Sequence, residues 1–271
     1  MSTYCTALSI AGSDSSGGAG IQADIKTMSA LGVYAMTAIT AITAQNTVGV
    51  KAVESISPEM VGKQIEAVCS DIPPHAVKIG MLFSPEIVTI VTDAIIRYKL
   101  ANVVLDPVMV ATSGDKLISD EAIERIKTQL IPNSSIITPN AAEAVVLTDT
   151  DDTTLQARRL HEMGAKAVLL KGGDKDSDSA TDYLSLSPNS KLIALSLPKV
   201  ATANTHGTGC TLSSAIASFL ALGNTMEESV RRAKQYIAEA ITAGAEVKIG
   251  HGHGSLNHLY SPYALTIFNT K

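Results

Sequence analysis

The run His206-Gly207-Thr208-Gly209-Cys210 stands directly before an amphipathic stretch, TLSSAIASFLALG, that reads as a helix. Glycines at a helix start leave backbone N–H groups free of side chains, and such groups form an anion hole. Cys210 falls in the first turn. There the helix dipole favours its thiolate, and cysteines so placed can fall to a pKa of about 3.5–7.5. The arrangement suits transfer of a charged group. The amides of Gly207, Thr208 and Gly209 would stabilise charge developing on a phosphoryl group, and Cys210 would accept or orient the proton of an attacking hydroxyl. Taken alone, Cys210 also fits a small buried thiol, and the two glycines fit tight helix packing. Covalent chemistry on Cys210 would need a positioned base. His206 lies four residues earlier, with no third orienting group evident in the sequence.

A second glycine cluster, AGSDSSGGAG at 11–20, puts Gly12, Gly17, Gly18 and Gly20 with three serines inside ten residues. It follows the apolar ALSI and precedes the helical pattern IQADIKTMSAL. Strand, glycine turn and helix in that order bring backbone close to a ligand. The Walker spacing is met from Gly12 to Gly17, but Gly18 and Ala19 stand where Lys and Ser/Thr are required. The dinucleotide fingerprint fails as well. Taken from Gly18 it ends on Ala23, inside the helix, and no acidic residue closes a second strand at the right distance. A plain surface turn would not need four glycines.

These turns need a scaffold to hold them. Candidate strands at 7–11, 37–45, 76–82, 102–108, 135–140 and 167–173 alternate with helical patterns near 20–31, 58–70, 85–98, 119–130, 140–147 and 153–163. That is the βαβ signature of a mostly parallel sheet covered on both faces. An antiparallel hairpin (180–187 with 191–200) and two long helices (near 208–222 and 226–246) complete the pattern. Ligands of such sheets bind beyond the carboxyl ends of the strands. Those ends carry the 12–20 loop, Gln45, Met81, Asp106 and Val108, Asn140 with Glu143, and Lys171 with Gly173. The chain has 271 residues and a net charge of −5, without a linker or repeat, and is expected to form one domain over 1–271. The acidic balance argues against nucleic-acid binding. No apolar run reaches membrane-spanning length, and no leader pattern opens the chain. Cys5, Cys69 and Cys210 are too scattered for a disulfide framework or a zinc knuckle, so a cytoplasmic protein with free thiols is expected.

The segments AGSDSSGGAGIQADIKT, TAITAITAQNT, VKIGML, VVLDPVM, TPNAAEA, LLKGG and HGTGCTLSSAIA resemble the ribokinase-like small-molecule kinases. Within them they are similar to the hydroxymethylpyrimidine and phosphohydroxymethylpyrimidine kinases of thiamine biosynthesis. The resemblance implies a three-layer αβα sandwich, ATP as phosphoryl donor with Mg²⁺, two successive transfers to a small pyrimidine, and a homodimer. Carried over by position, Gly12, Asp14, Gly18, Ala19, Gln45, Met81 and Val108 would bind the pyrimidine. Gln45 would offer its amide to the ring edge, as donor and acceptor together. Asp106, Asn140, Glu143, Lys171, Gly173 and Lys248 would serve the nucleotide, with Asp106 and Glu143 on the metal. Cys210 stands where the sugar kinases of the superfamily carry an aspartate base. His251 and His253, two residues apart in a glycine-rich tail with no third ligand evident, read as nucleotide edge or plain surface. Pyridoxal kinase, of the same superfamily, is the nearest alternative activity. A non-catalytic vitamin-binding protein is a further one, but every anion-hole glycine and the N-x-x-E are present.

Overall fold

The computed structural model describes residues 2–109, 118–172 and 178–269. In chain order, β1 (Ser2–Tyr4) and β2 (Thr6–Asp14) lead to α1 (Gly20–Ala30), β3 (Tyr34–Asn46) and β4 (Gly49–Ser55). Next come α2 (Pro58–Asp71), β5 (Ala76–Ile79), α3 (Pro85–Arg97), β6 (Val103–Leu105) and α4 (Asp120–Arg125). Then follow β7 (Ile136–Ile137), α5 (Ala141–Thr148), α6 (Thr153–Glu162), β8 (Val168–Leu170), β9 (Ser179–Ser185) and β10 (Ile193–Pro198). The helices α7 (Thr208–Ala221) and α8 (Met226–Gly244) precede a last strand, β11 (Ile267–Asn269).

Nine strands form the main sheet in the order β10-β9-β8-β7-β6-β5-β2-β3-β4. Strands β8 to β3 in that order run parallel, while β4, β9 and β10 pair antiparallel at the margins. Alternation along each central strand divides two apolar layers. Leu8, Ile10, Val77, Ile79, Val103, Leu105 and Ile137 pack with Val61, Ile65, Ile87 and Val91 from α2 and α3. Their neighbours Ala7, Ala76, Val104, Ile136 and Leu169 pack with Met28 of α1, Leu212 and Ile216 of α7 and Ala233 of α8. This is the sheet covered on both faces that the alternating pattern predicts, and the three-layer αβα sandwich that the resemblance implies. No described helix is long and apolar enough to cross a membrane.

Several elements depart from expectation. β4 is unannounced because its residues are mostly half-buried or exposed and carry no apolar stripe. The small β1–β11 sheet joins two segments of 3 residues each, too short for a periodic signal. The helix expected at 119–130 is regular only in α4, then continues as a π turn at 126–130 and a 3-10 turn at 131–133. Central strands are shorter than their apolar runs, since β6 stops at Leu105 and β7 at Ile137. The freed residues become loops at the carboxyl edge.

Candidate active site

Helix starts distinguish the site from the scaffold. Ser57, Ser84, Ser119, Asn140, Asp152 and Thr225 each cap a helix with a side-chain oxygen. Among the described α-helices, only α1 and α7 begin with no side-chain cap, on Ala19 and Gly207. A helix start without a cap leaves N–H groups for another partner. Both open onto the same cavity of about 680 Å³, which lies along the carboxyl ends of the strands.

The two glycine turns touch. Gly207 has φ of +84°, and a Cβ there would run into the carbonyl oxygen of Gly18. A Cβ on Gly18 would in turn strike the His206 ring. The earlier turn is not a floppy surface loop, because Asp14 organises it. Asp14 Oδ1 accepts from the backbone N and hydroxyl of Ser16, and Oδ2 accepts from the backbone N of Gly18 and of Ala19. His206 Nε2 donates to the same Oδ2 at 2.8 Å. Burial alone would raise the Asp14 carboxyl, but the bonds from His206, Ser16 and Ala19 prevail and hold it at about 2. So Asp14 borders the cavity while its oxygens are spent on joining the two loops.

Gly12, Ala19, Gln45, Met81 and Val108 line the cavity as expected. Gly12 gives room to the Met81 methyl, which a Cβ would meet at 2.5 Å. Gln45 is tied to the first turn through Ser15, whose hydroxyl donates to Gln45 O and accepts from Gln45 N, each at 2.8 Å. Its Oε1 accepts from Thr43 Oγ1 at 3.0 Å.

Farther along the wall stand Asp106, Asn140, Glu143, Lys171 and the Gly207–Cys210 turn. Lys171 is not a solvated strand-end lysine. Its Nζ donates to Asp106 Oδ1 at 2.7 Å, with its side chain 14% exposed. A Cβ on Gly209 would lie 3.5 Å from that Nζ and 3.6 Å from Asp106 Oδ2, so the ion pair flanks the anion hole. Asp106 is also bonded by Thr138 and Ser213. Burial opposes its charge, yet Lys171 and Lys78 lower its carboxyl below the usual range. The N-x-x-E motif forms a capping box: Glu143 N donates to Asn140 Oδ1 at 2.9 Å and Asn140 N donates to Glu143 Oε2 at 2.8 Å. Burial pushes the Glu143 carboxyl up to about 7; Lys171 resists this and Asp106 adds to it. Ala142, Ala180, Leu212, Ile237 and Ile241 add an apolar stretch to the wall, beside the Lys234–Asp182 ion pair.

Three expectations change. Burial pushes the Cys210 thiol up to about 11, and the favourable field of Lys78 does not overcome it, so the lowered pKa inferred from the helix start does not hold. Gly18 is not part of the cavity wall; it sits behind it, where α7's turn leans on the first loop. Lys248 is exposed and likewise outside the wall. Gly173 lies outside the described residues. Sequence reasoning missed the His206–Asp14 link, the Lys78–Asp24 ion pair and the Lys234–Asp182 ion pair, each joining residues far apart in the chain.

The tail, too, is structural. His251 N and Gly252 N donate to Thr47 Oγ1, and His253 N donates to Thr47 O. Gly254 O accepts from His206 N at 3.0 Å. Asn204 Nδ2 donates to the carbonyls of Gly244 and Val247, at 2.7 and 2.8 Å. Among the described residues no group of three His, Cys, Asp or Glu side chains forms a metal cage.

A family model for phosphomethylpyrimidine kinase matches residues 14–257. The chain belongs to the phosphomethylpyrimidine kinase family. Among its relatives is the hydroxymethylpyrimidine/phosphomethylpyrimidine kinase of Rhizobium meliloti, 47% identical over 260 residues that cover 94% of this chain and 97% of that one. The solved phosphomethylpyrimidine kinase of Clostridium difficile is 48% identical, with a TM-score of 0.76 over 87% of this chain and 99% of that one. A pyridoxal kinase of Bacillus subtilis, solved as an ADP complex, is 34% identical, with a TM-score of 0.86 over 94% of this chain and 98% of that one. Phosphomethylpyrimidine kinases thus share this chain's sequence, and pyridoxal kinases share its fold.

Proposed function

We propose that this chain transfers the terminal phosphoryl group of ATP to the hydroxymethyl of 4-amino-5-hydroxymethyl-2-methylpyrimidine, and then to the resulting monophosphate. The observation that carries this reading is the meeting of two uncapped glycine turns over one cavity. The wall of Gly12, Ala19, Met81 and Val108 suits a flat ring, and Gln45 suits its polar edge. Met81 and Gly12 set the slot's width.

At the other end, the amides of the 207–210 turn and the Lys171 ammonium converge on the place where charge develops. Removing one preorganised donor of this kind costs roughly 2.7–4 kcal/mol in comparable sites. Magnesium typically binds through one or two carboxylates together with substrate phosphates. Asp106 and Glu143 are such a pair, and a buried carboxyl near 7 is poised to ionise against a cation. They would hold the ion, which shields phosphate charge. Cys210, a neutral thiol at physiological pH, orients the acceptor hydroxyl. Phosphoryl transfer has a loose transition state that asks little of a base. Cytoplasmic location and a homodimer remain part of this reading.

Incubation with ATP, magnesium and the pyrimidine should yield the monophosphate and then the diphosphate, resolved by mass. Absence of both would overturn the assignment. Pyridoxal is the second substrate worth assaying, because the fold overlays pyridoxal kinase so fully. Turnover of pyridoxal alone would replace this reading with that one.

A further inference from the structure

β5 reads Ala76-Val77-Lys78-Ile79. Val77 and Ile79 face α2 and α3, so Lys78 points to the opposite layer, towards α1 and α7. Its side chain is fully buried, and Nζ donates at 2.8 Å to Oδ2 of an equally buried Asp24. Asp24 Oδ2 also accepts from Ser9 Oγ at 2.5 Å, and Oδ1 accepts from Ser214 Oγ at 2.6 Å. Two helices are matched turn for turn here. Asp24 lies one turn beyond Gly20 on α1, and Ser214 lies one turn beyond Cys210 on α7. Ser214 bonds to Asp24, and Gly20 and Cys210 both line the cavity. The ion pair therefore lies one turn beneath Cys210, and Lys78 itself reaches the cavity wall. Well-packed apolar residues would stabilise this position at least as well as a buried ion pair, so stability alone does not account for it.

We propose that Lys78 is a positioning residue for Cys210, its ammonium fixed by Asp24 so as to set the charge on the sulfur that faces the acceptor hydroxyl. The idea rests on the placement of Cys210 in the reading above. Four charged groups bear on this corner: Lys78 from β5, Asp24 from α1, Asp106 after β6 and Lys171 after β8. Burial is the main influence raising the thiol. Lys78 is the main one opposing it, and Asp24 and Asp106 side with burial. In the transfer, the acceptor O–H bond breaks as its oxygen bonds to phosphorus. The old bridging P–O bond breaks with its electron pair leaving on ADP. The released proton passes to an oxygen of the transferred phosphoryl group where Cys210 is the neutral thiol, and to the sulfur in the fraction that is thiolate, which Lys78 enlarges.

The experiment is iodoacetamide alkylation of Cys210 across a pH series, read on its peptide by mass spectrometry, with Cys210→Ser marking the background. Turnover is measured beside it. Lys78→Met should slow alkylation roughly three- to tenfold at a given pH, since one pKa unit is tenfold in thiolate. Its kcat should fall while KM for ATP stays. Asp24→Asn, which keeps the cation and removes the anion, should speed alkylation instead. The double variant K78M/D24N, with no unpaired charge, should regain thermal stability and bring alkylation back from the Asp24→Asn rate towards the parental one, because the two fields oppose each other. Equal direction in the two single variants overturns the proposal, as does an unchanged profile in Asp24→Asn or a double variant that alkylates as fast as Asp24→Asn. If Lys78→Met fails to fold, the other two decide. Alkylation needs no substrate, so failure of the kinase assignment shows separately, as a parent protein that makes no phosphorylated pyrimidine.

Discussion

Gly207 and Gly18 are the residues at which a single methyl group has most to disturb. Alanine at Gly207 meets both a left-handed backbone and the Gly18 carbonyl. It should lower stability by about 1–3 kcal/mol and abolish turnover, read by thermal melting and initial rate. Alanine at Gly18 displaces the His206 ring, and so should weaken acceptor and nucleotide binding together, seen in paired titrations. The sequence alone assigns Gly18 to the acceptor; the contact between the turns makes its loss common to both ligands. Glu143 supplies a pH prediction. Its carboxyl, near 7, is neutral below that value and charged above it. Accordingly kcat/KM for ATP should fall as pH drops below about 7, and Glu143→Gln should flatten that limb. Cys210→Ser should retain residual transfer, losing on the order of 10²-fold rather than all activity, because a hydroxyl still orients the acceptor. Part of the cavity lining was legible, Gly12, Gln45, Met81, Asp106, Glu143 and Lys171 among it, because these residues cluster at strand ends and in glycine turns; Lys78, Asp182 and Lys234 were not. The state of the Cys210 thiol was not, since the helix start is local information and the burial that dominates it is supplied by distant segments.

Elements explain why the uncapped helix starts matter. Six of the described helices begin on a side-chain cap. By contrast α1 and α7 lack a cap, and both starts open onto the cavity. Elsewhere Asn204 acts on a helix end: its Nδ2 satisfies carbonyls that close α8, at Gly244 and Val247. Leucine there would strand those carbonyls beside an apolar group. The expected loss is about 1–3 kcal/mol in urea unfolding, with an unchanged m-value. β4 escaped the sequence reading because an exposed edge strand needs no apolar stripe. Yet it pairs with β3 and so braces Gln45.

At the scale of the whole molecule, the cavity draws on residues from Ala11 to Ile241. A ligand that fills it should stabilise the fold broadly. At a hundred times its Kd, an ATP analogue adds about 2.7 kcal/mol by mass action, seen as a raised Tm; adding the pyrimidine should raise it further. Fold class was readable because alternation of strand and helix is a global pattern. The links between remote loops were not, because Asp14 and His206 stand 192 positions apart. Thr47, held by three N–H groups of the 251–253 run, shows what such remoteness implies. The rim that carries Gln45 is latched by a stretch made two hundred positions later. On a ribosome, then, the chain can finish its nine-stranded sheet well before the rim around Gln45 has its clasp.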